Sequence, residues 1–189
     1  MATFEQAIGV VLRHEGGYVN NPNDPGGVTN YGISIRFLAD HLEAGDFDGD
    51  GDVDAEDIAN MTVEQAQEIY RQFWWDPYGY ERFVDQTIAT KTFDLAVNMG
   101  AKRSHILLQT AVNKAFGLNL KADGNLGNAS YNAINASHDG DDEQTLLTAY
   151  CDEVWAFYQR LIANNSKLKV FAKGWKNRAY DLGQANQLG

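Results

Sequence analysis

Hydrophobic positions near the start of the chain recur at one-face helical spacing, with Phe4, Ile8, Val11 and Leu12 in register until Gly16-Gly17. The spacing predicts a helix over about 4 to 15, and Thr3-Phe4-Glu5-Gln6 ahead of it has the form of a capping box. The next stretch, Asn20-Asn21-Pro22-Asn23-Asp24-Pro25-Gly26-Gly27, is so dense in turn formers that neither helix nor long strand persists through it. Val28 to Ile35 predicts one or two short strands, and Ser34 a cap for a helix carrying Ile35, Leu38 and Leu42. Thr62-Val63-Glu64-Gln65 repeats the capping-box spacing before Ala66, Ile69, Tyr70 and Phe73, a helix that ends near Trp75-Asp76-Pro77. Further helical stripes run through Ile88, Leu95, Ala96 and Met99, through Ile106, Gln109, Val112 and Phe116, and through Leu146, Leu147, Tyr150, Val154, Phe157 and Leu161. Between the last two, Asp123-Gly124-Asn125-Leu126-Gly127 reads as a tight turn that begins a short helix. The expected fold is mainly α, a single globular body with a short β element after the first helix. No internal repeat or low-complexity linker divides it.

Composition adds exclusions. With 189 residues, 44% of them hydrophobic, the chain is long enough to bury a real core, so a disordered protein is excluded. The net charge of −11 argues against nucleic acid, whose phosphates demand clustered Lys and Arg. No run of 18 apolar residues occurs, and Met1-Ala2-Thr3-Phe4-Glu5-Gln6 has neither a basic start nor an apolar stretch. The chain as given is therefore expected to carry no membrane span and no signal peptide. A lone cysteine, Cys151, cannot form an internal disulfide, which fits synthesis in a cytosol. A monomer is expected.

The acid is concentrated. Seven acidic residues and no base lie between Asp46 and Asp57, so the rest of the chain is only mildly acidic. Asp46, Asp48, Asp50 and Asp57 occupy positions 1, 3, 5 and 12 of a loop with Gly51 at position 6 and Val53 at position 8. That is the spacing of an EF-hand-type calcium loop, in which carboxylates two apart converge on a hard cation and the glycine permits the sharp turn. Asp52 at position 7 is expected to offer its backbone carbonyl. Asp57 stands where helix-loop-helix sensors usually have Glu, a shorter arm that resembles the loops of dockerin modules. A divalent ion there offsets the mutual repulsion of the carboxylates. One such loop without a second implies a structural staple, not a signalling switch.

Two other carboxylates stand apart from this loop. Glu15 falls at the end of the first predicted helix and Asp24 opens the turn Asp24-Pro25-Gly26-Gly27. Cleavage of a glycosidic bond needs a protonated carboxyl beside the scissile oxygen and usually a second carboxylate. The negative end of the helix dipole favours the protonated form of Glu15, but by only about 0.3 to 1 kcal/mol. Burial against apolar or aromatic neighbours is expected to supply the remainder.

The string His14-Glu15-Gly16-Gly17-Tyr18, Asn23-Asp24-Pro25-Gly26-Gly27, Thr29-Asn30-Tyr31-Gly32-Ile33-Ser34 closely resembles the catalytic region of glycoside hydrolase family 108, the N-acetylmuramidases of phage endolysins and bacterial secretion-activator proteins. The resemblance continues through Ala66, Ile69-Tyr70-Arg71 and Trp75-Asp76. Later pieces, Phe93-Asp94 to Asn98-Met99-Gly100, Leu108-Gln109, Asp123 to Gly127, and Phe171 to Gly174-Trp175 and Arg178, resemble the peptidoglycan-binding region that accompanies this family. The resemblance implies a lysozyme-like α-rich fold and hydrolysis of the β-1,4 bond between N-acetylmuramic acid and N-acetylglucosamine. Glu15 is then the essential acid, and Asp24 and Thr29 complete a trio like that of phage lysozymes, with one residue fewer between them than in that pattern.

Residues 1–90 are accordingly expected to form the catalytic region and 91–189 a helical peptidoglycan-binding region packed on it, with the calcium loop as an insertion over 46–57. Tyr18, Tyr31, Trp74 and Trp75 are candidates for stacking on sugar faces, and Asn98 and Gln109 for hydrogen bonds to them. For each the competing reading is structural: core packing for the four aromatics, and helix capping or bridging for Asn98 and Gln109. His14 is either a helix-end side chain or a hydrogen-bond partner of the site. The partner expected is peptidoglycan, reached from a host bacterial cytoplasm after release through a separate pore. The rival functions are a lytic transglycosylase and a non-enzymatic, calcium-dependent wall-binding module.

Overall fold

The apolar stripe of the first segment forms helix α1 (Phe4–Glu15), which buries Phe4, Ala7, Ile8, Val10 and Val11. Its capping box does not form, because a tertiary partner takes the place of the local one. The Thr3 N–H donates to Gln86 Oε1 at 2.8 Å, and Gln86 Nε2 donates back to the Thr3 carbonyl at 3.2 Å. This computed structural model describes residues 1–20, 27–138 and 141–182. Beyond the turn-rich stretch, β1 (Thr29–Asn30) and β2 (Ile33–Ser34) pair antiparallel with Thr29 opposite Ser34. Tyr31 and Gly32 between them both have positive φ, as the tightest hairpin turns require. Ser34 caps α2 (Ile35–Ala39) by accepting the Phe37 N–H at 3.1 Å. The single helix expected through Leu42 is broken at the non-helical His41, and α3 (Leu42–Gly45) restarts after it.

The acidic loop leads into α4 (Ala55–Asn60), and α5 (Val63–Tyr70) follows with the predicted Thr62/Gln65 capping box in place. A π-helical turn at Arg71–Trp75 and two short 3-10 turns, Asp76–Tyr78 and Tyr80–Arg82, complete the connection to α6 (Gln86–Met99). Then come α7 (Ala101–Phe116), α8 (Asn128–Asn135), α9 (Asp141–Asn164), a 3-10 segment at Ser166–Phe171 and α10 (Ala172–Tyr180). The hydrophobic pattern does not predict α10, whose one buried residue is Ala179. The mainly α fold with a small hairpin after the first helix is as expected.

Helix α6 organises the rest. Every residue from Ile88 to Ala96 is buried, because α1 and α7 both pack on it, while α9 packs on α7 and α10 on α9. One cluster of buried side chains runs from Ala2 to Ala179 and draws on both halves of the chain. At its centre Trp75 stands edge-on to Phe4, Tyr80 and Phe93, with ring centroids 5.8, 5.7 and 5.4 Å away, the geometry aromatic rings prefer. A helix buried on all faces has to satisfy its polar side chains internally. Thr92 Oγ1 donates to the Ile88 carbonyl at 2.7 Å, and Gln86 Nε2 to Thr90 Oγ1 at 3.0 Å. Lys91 and Asp94 reach further, to the end of α10.

Candidate active site

Glu15 is the last residue of α1, followed by Gly16 at φ 78°. The hairpin turn closes over its side chain. A Cβ built on Gly32, whose φ is +81°, would lie 2.6 Å from Glu15 Cβ and 2.8 Å from the Tyr70 hydroxyl. Glycine is therefore required at this position both for its backbone conformation and for the close approach. The Tyr70 hydroxyl donates to the Tyr31 carbonyl at 2.8 Å and so pins the turn to α5. The carboxyl of Glu15 is confined between α1 and the hairpin, yet its side chain remains 19% exposed.

The neighbour that most directly meets this carboxyl is a cation, not the apolar surface expected from sequence. Arg178, in the last turn of α10, donates through Nη2 to Glu15 Oε1 at 2.5 Å. The same guanidinium grips Asp94 side-on, Nε to Oδ2 and Nη2 to Oδ1, both at 3.1 Å. His14 completes the cluster, with Nδ1 2.8 Å from Asp94 Oδ1 and Nε2 2.9 Å from Asp181 Oδ2. Lys91 Nζ donates to the carbonyls of Asp181 at 3.0 Å and Arg178 at 3.4 Å, a cation placed where a helix exposes unpaired carbonyls. Burial pushes the Lys91 ammonium below its ordinary range. Burial alone would raise the Asp94 carboxyl, but the hydrogen bonds from His14 and Arg178 outweigh it and hold that carboxyl below the usual range. The hydrogen bond to Asp94 raises His14 above its ordinary value, against the opposing effect of its partial burial.

The other predicted residues sort clearly. Asp24 lies outside the described residues. Thr29 is held in a two-way backbone exchange with Val19, at 2.8 and 2.9 Å, on the strand that leads into the turn over Glu15. Tyr18 is 48% exposed and its hydroxyl receives Asn20 Nδ2 at 3.5 Å. Tyr31 sits in the turn itself, packed in part against the core. Asn98 Oδ1 accepts the Tyr158 hydroxyl at 2.7 Å, so its carbonyl bridges α6 and α9. The bridging reading also holds for Gln109, which is buried and accepts the Gly124 N–H at 2.9 Å while donating to the Asn125 carbonyl and Ser130 Oγ. Trp75 is core, and Trp74 packs against Phe37 and Tyr70 with centroids 4.9 and 5.4 Å away.

In the acidic loop, oxygens of Asp46, Asp48 and Asp50 all lie within 4.8 Å of one another. Asp46 accepts the N–H groups of Gly49 and Gly51 at 2.7 and 3.0 Å. Asp57 is buried and stands apart from that trio. Its two oxygens accept the N–H groups of Phe47 and Asp54 at 2.8 and 2.9 Å, tying the two ends of the loop together. Asp52 is fully exposed, and the charge of Asp50 raises its carboxyl above the usual range.

Sequence reasoning missed Asp94 and Arg178 as site residues. Both belong to the strings that carry the family resemblance, but neither stands near Glu15 in the chain: the packing of α6 on α1 brings Asp94 to it, and α10 brings Arg178.

Residues 8–100 match the family described as Glycosyl hydrolase 108, and residues 103–180 match a Predicted Peptidoglycan domain. Among solved structures the chain is similar to SagA of Brucella abortus, with a TM-score of 0.71 and 25% identity over 95% of this chain and 91% of that one. Among curated proteins none matches.

Proposed function

We infer that this chain, whose two regions match a glycosyl hydrolase 108 model and a peptidoglycan-domain model, is a glycoside-hydrolase-type cell-wall enzyme acting on peptidoglycan. The finer reading is a muramidase of the endolysin type that hydrolyses the β-1,4 bond between N-acetylmuramic acid and N-acetylglucosamine. The observation that carries it is the setting of Glu15, a partly exposed carboxyl fixed at a helix end beneath the hairpin and hydrogen-bonded by Arg178. Glu15 gives its proton to the glycosidic oxygen as the bond from that oxygen to the anomeric carbon breaks, the electron pair leaving with the oxygen. Water then adds to the anomeric carbon and passes a proton to Asp24, with Thr29 helping to orient it. The exposed Tyr18 offers a face for a sugar ring.

Product analysis tests this reading. Digestion of purified peptidoglycan is expected to release fragments ending in reducing N-acetylmuramic acid. A 1,6-anhydro end in its place would mean that the substrate's own hydroxyl replaces water, which is the transglycosylase outcome.

The loop from Asp46 to Asp57 is proposed to hold one structural calcium ion. Asp46, Asp48 and Asp50 would supply carboxylate oxygens, Asp52 its carbonyl and Asp57 its shorter arm. The support is the clustering of the first three carboxylates around one point without a compensating base in the loop. The ion's part is to neutralise their repulsion and order the loop. Calcium at about one hundred times its dissociation constant stabilises the folded state by about 2.7 kcal/mol, which for a chain of this size raises the melting temperature by about 5 to 10 °C. Thermal unfolding of metal-stripped protein with and without calcium reads this directly, and an unchanged melting temperature contradicts it.

A further inference from the structure

Arg178 lies in the region similar to a peptidoglycan domain, yet its guanidinium ends on the carboxyl of the other region. Its aim is heavily restrained. The Nε and Nη2 donors are fixed on Asp94, whose side chain is only 5% exposed. The peptide carbonyls at the end of α10 are held by Lys91, and His14 ties Asp94 to Asp181. The two hydrogens of one nitrogen, Nη2, therefore serve Asp94 and Glu15 together. Only a planar fork does this, because a lysine ammonium is a point charge that cannot grip one carboxylate side-on while pointing at a second.

We propose that Arg178 is a positioning residue for glycosidic cleavage: anchored on Asp94, it fixes the orientation of the Glu15 carboxyl and stabilises the negative charge that Glu15 acquires as its proton leaves. The inference rests on the reading of Glu15 as the acid. A preorganised cation aimed at charge that develops during the reaction lowers the barrier without a reorganisation cost at that moment. It also follows that α10, within the region similar to a peptidoglycan domain, supplies a part of the catalytic apparatus.

The test compares kcat and KM of wild type, Arg178→Gln, Arg178→Lys and Glu15→Gln on solubilised peptidoglycan, with folding checked by circular dichroism. Arg178→Gln is expected to lose about 10 to 100-fold in kcat with KM little changed, somewhat less than the loss typical of a direct transition-state donor. Arg178→Lys keeps the charge and loses the fork, so its kcat falls between those of wild type and Arg178→Gln. A folded Arg178→Gln with wild-type kcat overturns the proposal. Should that variant fail to fold, Arg178→Lys carries the test, and a wild-type kcat there overturns it. An active Glu15→Gln sinks the reading of Glu15 itself, whereas an inactive Glu15→Gln beside a wild-type-like Arg178→Gln sinks only the role of Arg178.

Discussion

Asp94→Ala is expected to destabilise the fold by about 3 kcal/mol, because removing one partner of a buried ion pair leaves the other charge uncompensated. The figure sits at the low end of the usual range since Arg178 keeps Glu15 as a second carboxylate. His14 loses its Asp94 contact and retains Asp181. For a chain of this size the loss corresponds to a fall in melting temperature of about 6 to 12 °C. Thermal unfolding checks it, and a melting temperature within about 2 °C of wild type would mean that the cluster carries little of the fold's stability.

The same cluster sets a pH window. Asp94 is held below its ordinary value in the folded state, so its contribution is present above about pH 4 and is lost as pH falls through the folded value. His14 is held above its ordinary value, so its contribution is present below about pH 6.5 and is lost as pH rises through the folded value. Between those limits the cluster joins α1, α6 and α10 at full strength.

Much of this architecture is legible in the chain because it is local. Helix α1 ends where its stripe ends, at Gly16, and the Thr62 capping box forms because its two partners are three residues apart. The hairpin follows from Tyr31-Gly32, whereas in the acidic loop Asp57, expected as a cation ligand, accepts the Phe47 and Asp54 N–H groups. What escaped is long-range. The Thr3 cap yields to Gln86, which is 83 residues away. Helix α10 presents Lys173, Lys176 and Trp175 around a glycine at position 174 and buries only Ala179, so no apolar stripe announces it. Helix α6 reads as a one-sided stripe, yet its Lys91, Thr92 and Asp94 are buried as well. Periodicity cannot reveal that, because a polar residue is normally read as a solvent face. The environment of Glu15 is hidden from local pattern as well, because the residue that meets it comes from the far end of the chain.

The second large effect concerns Glu15 itself. Glu15→Gln preserves the size of the side chain and an oxygen for Arg178 to donate to, so the fold and the Asp94 cluster remain. The variant has no proton to give, and the loss of a positioned general acid costs about 10² to 10⁴-fold in rate. Part of the residual rate comes from substrate binding and from the remaining polar groups of the site, which do not depend on the exchanged proton. The most direct test of the account is the initial rate of reducing-end release from purified peptidoglycan by folded Glu15→Gln beside wild type. The account predicts a fall of at least about 100-fold with an unchanged melting temperature, and release at the wild-type rate would contradict it.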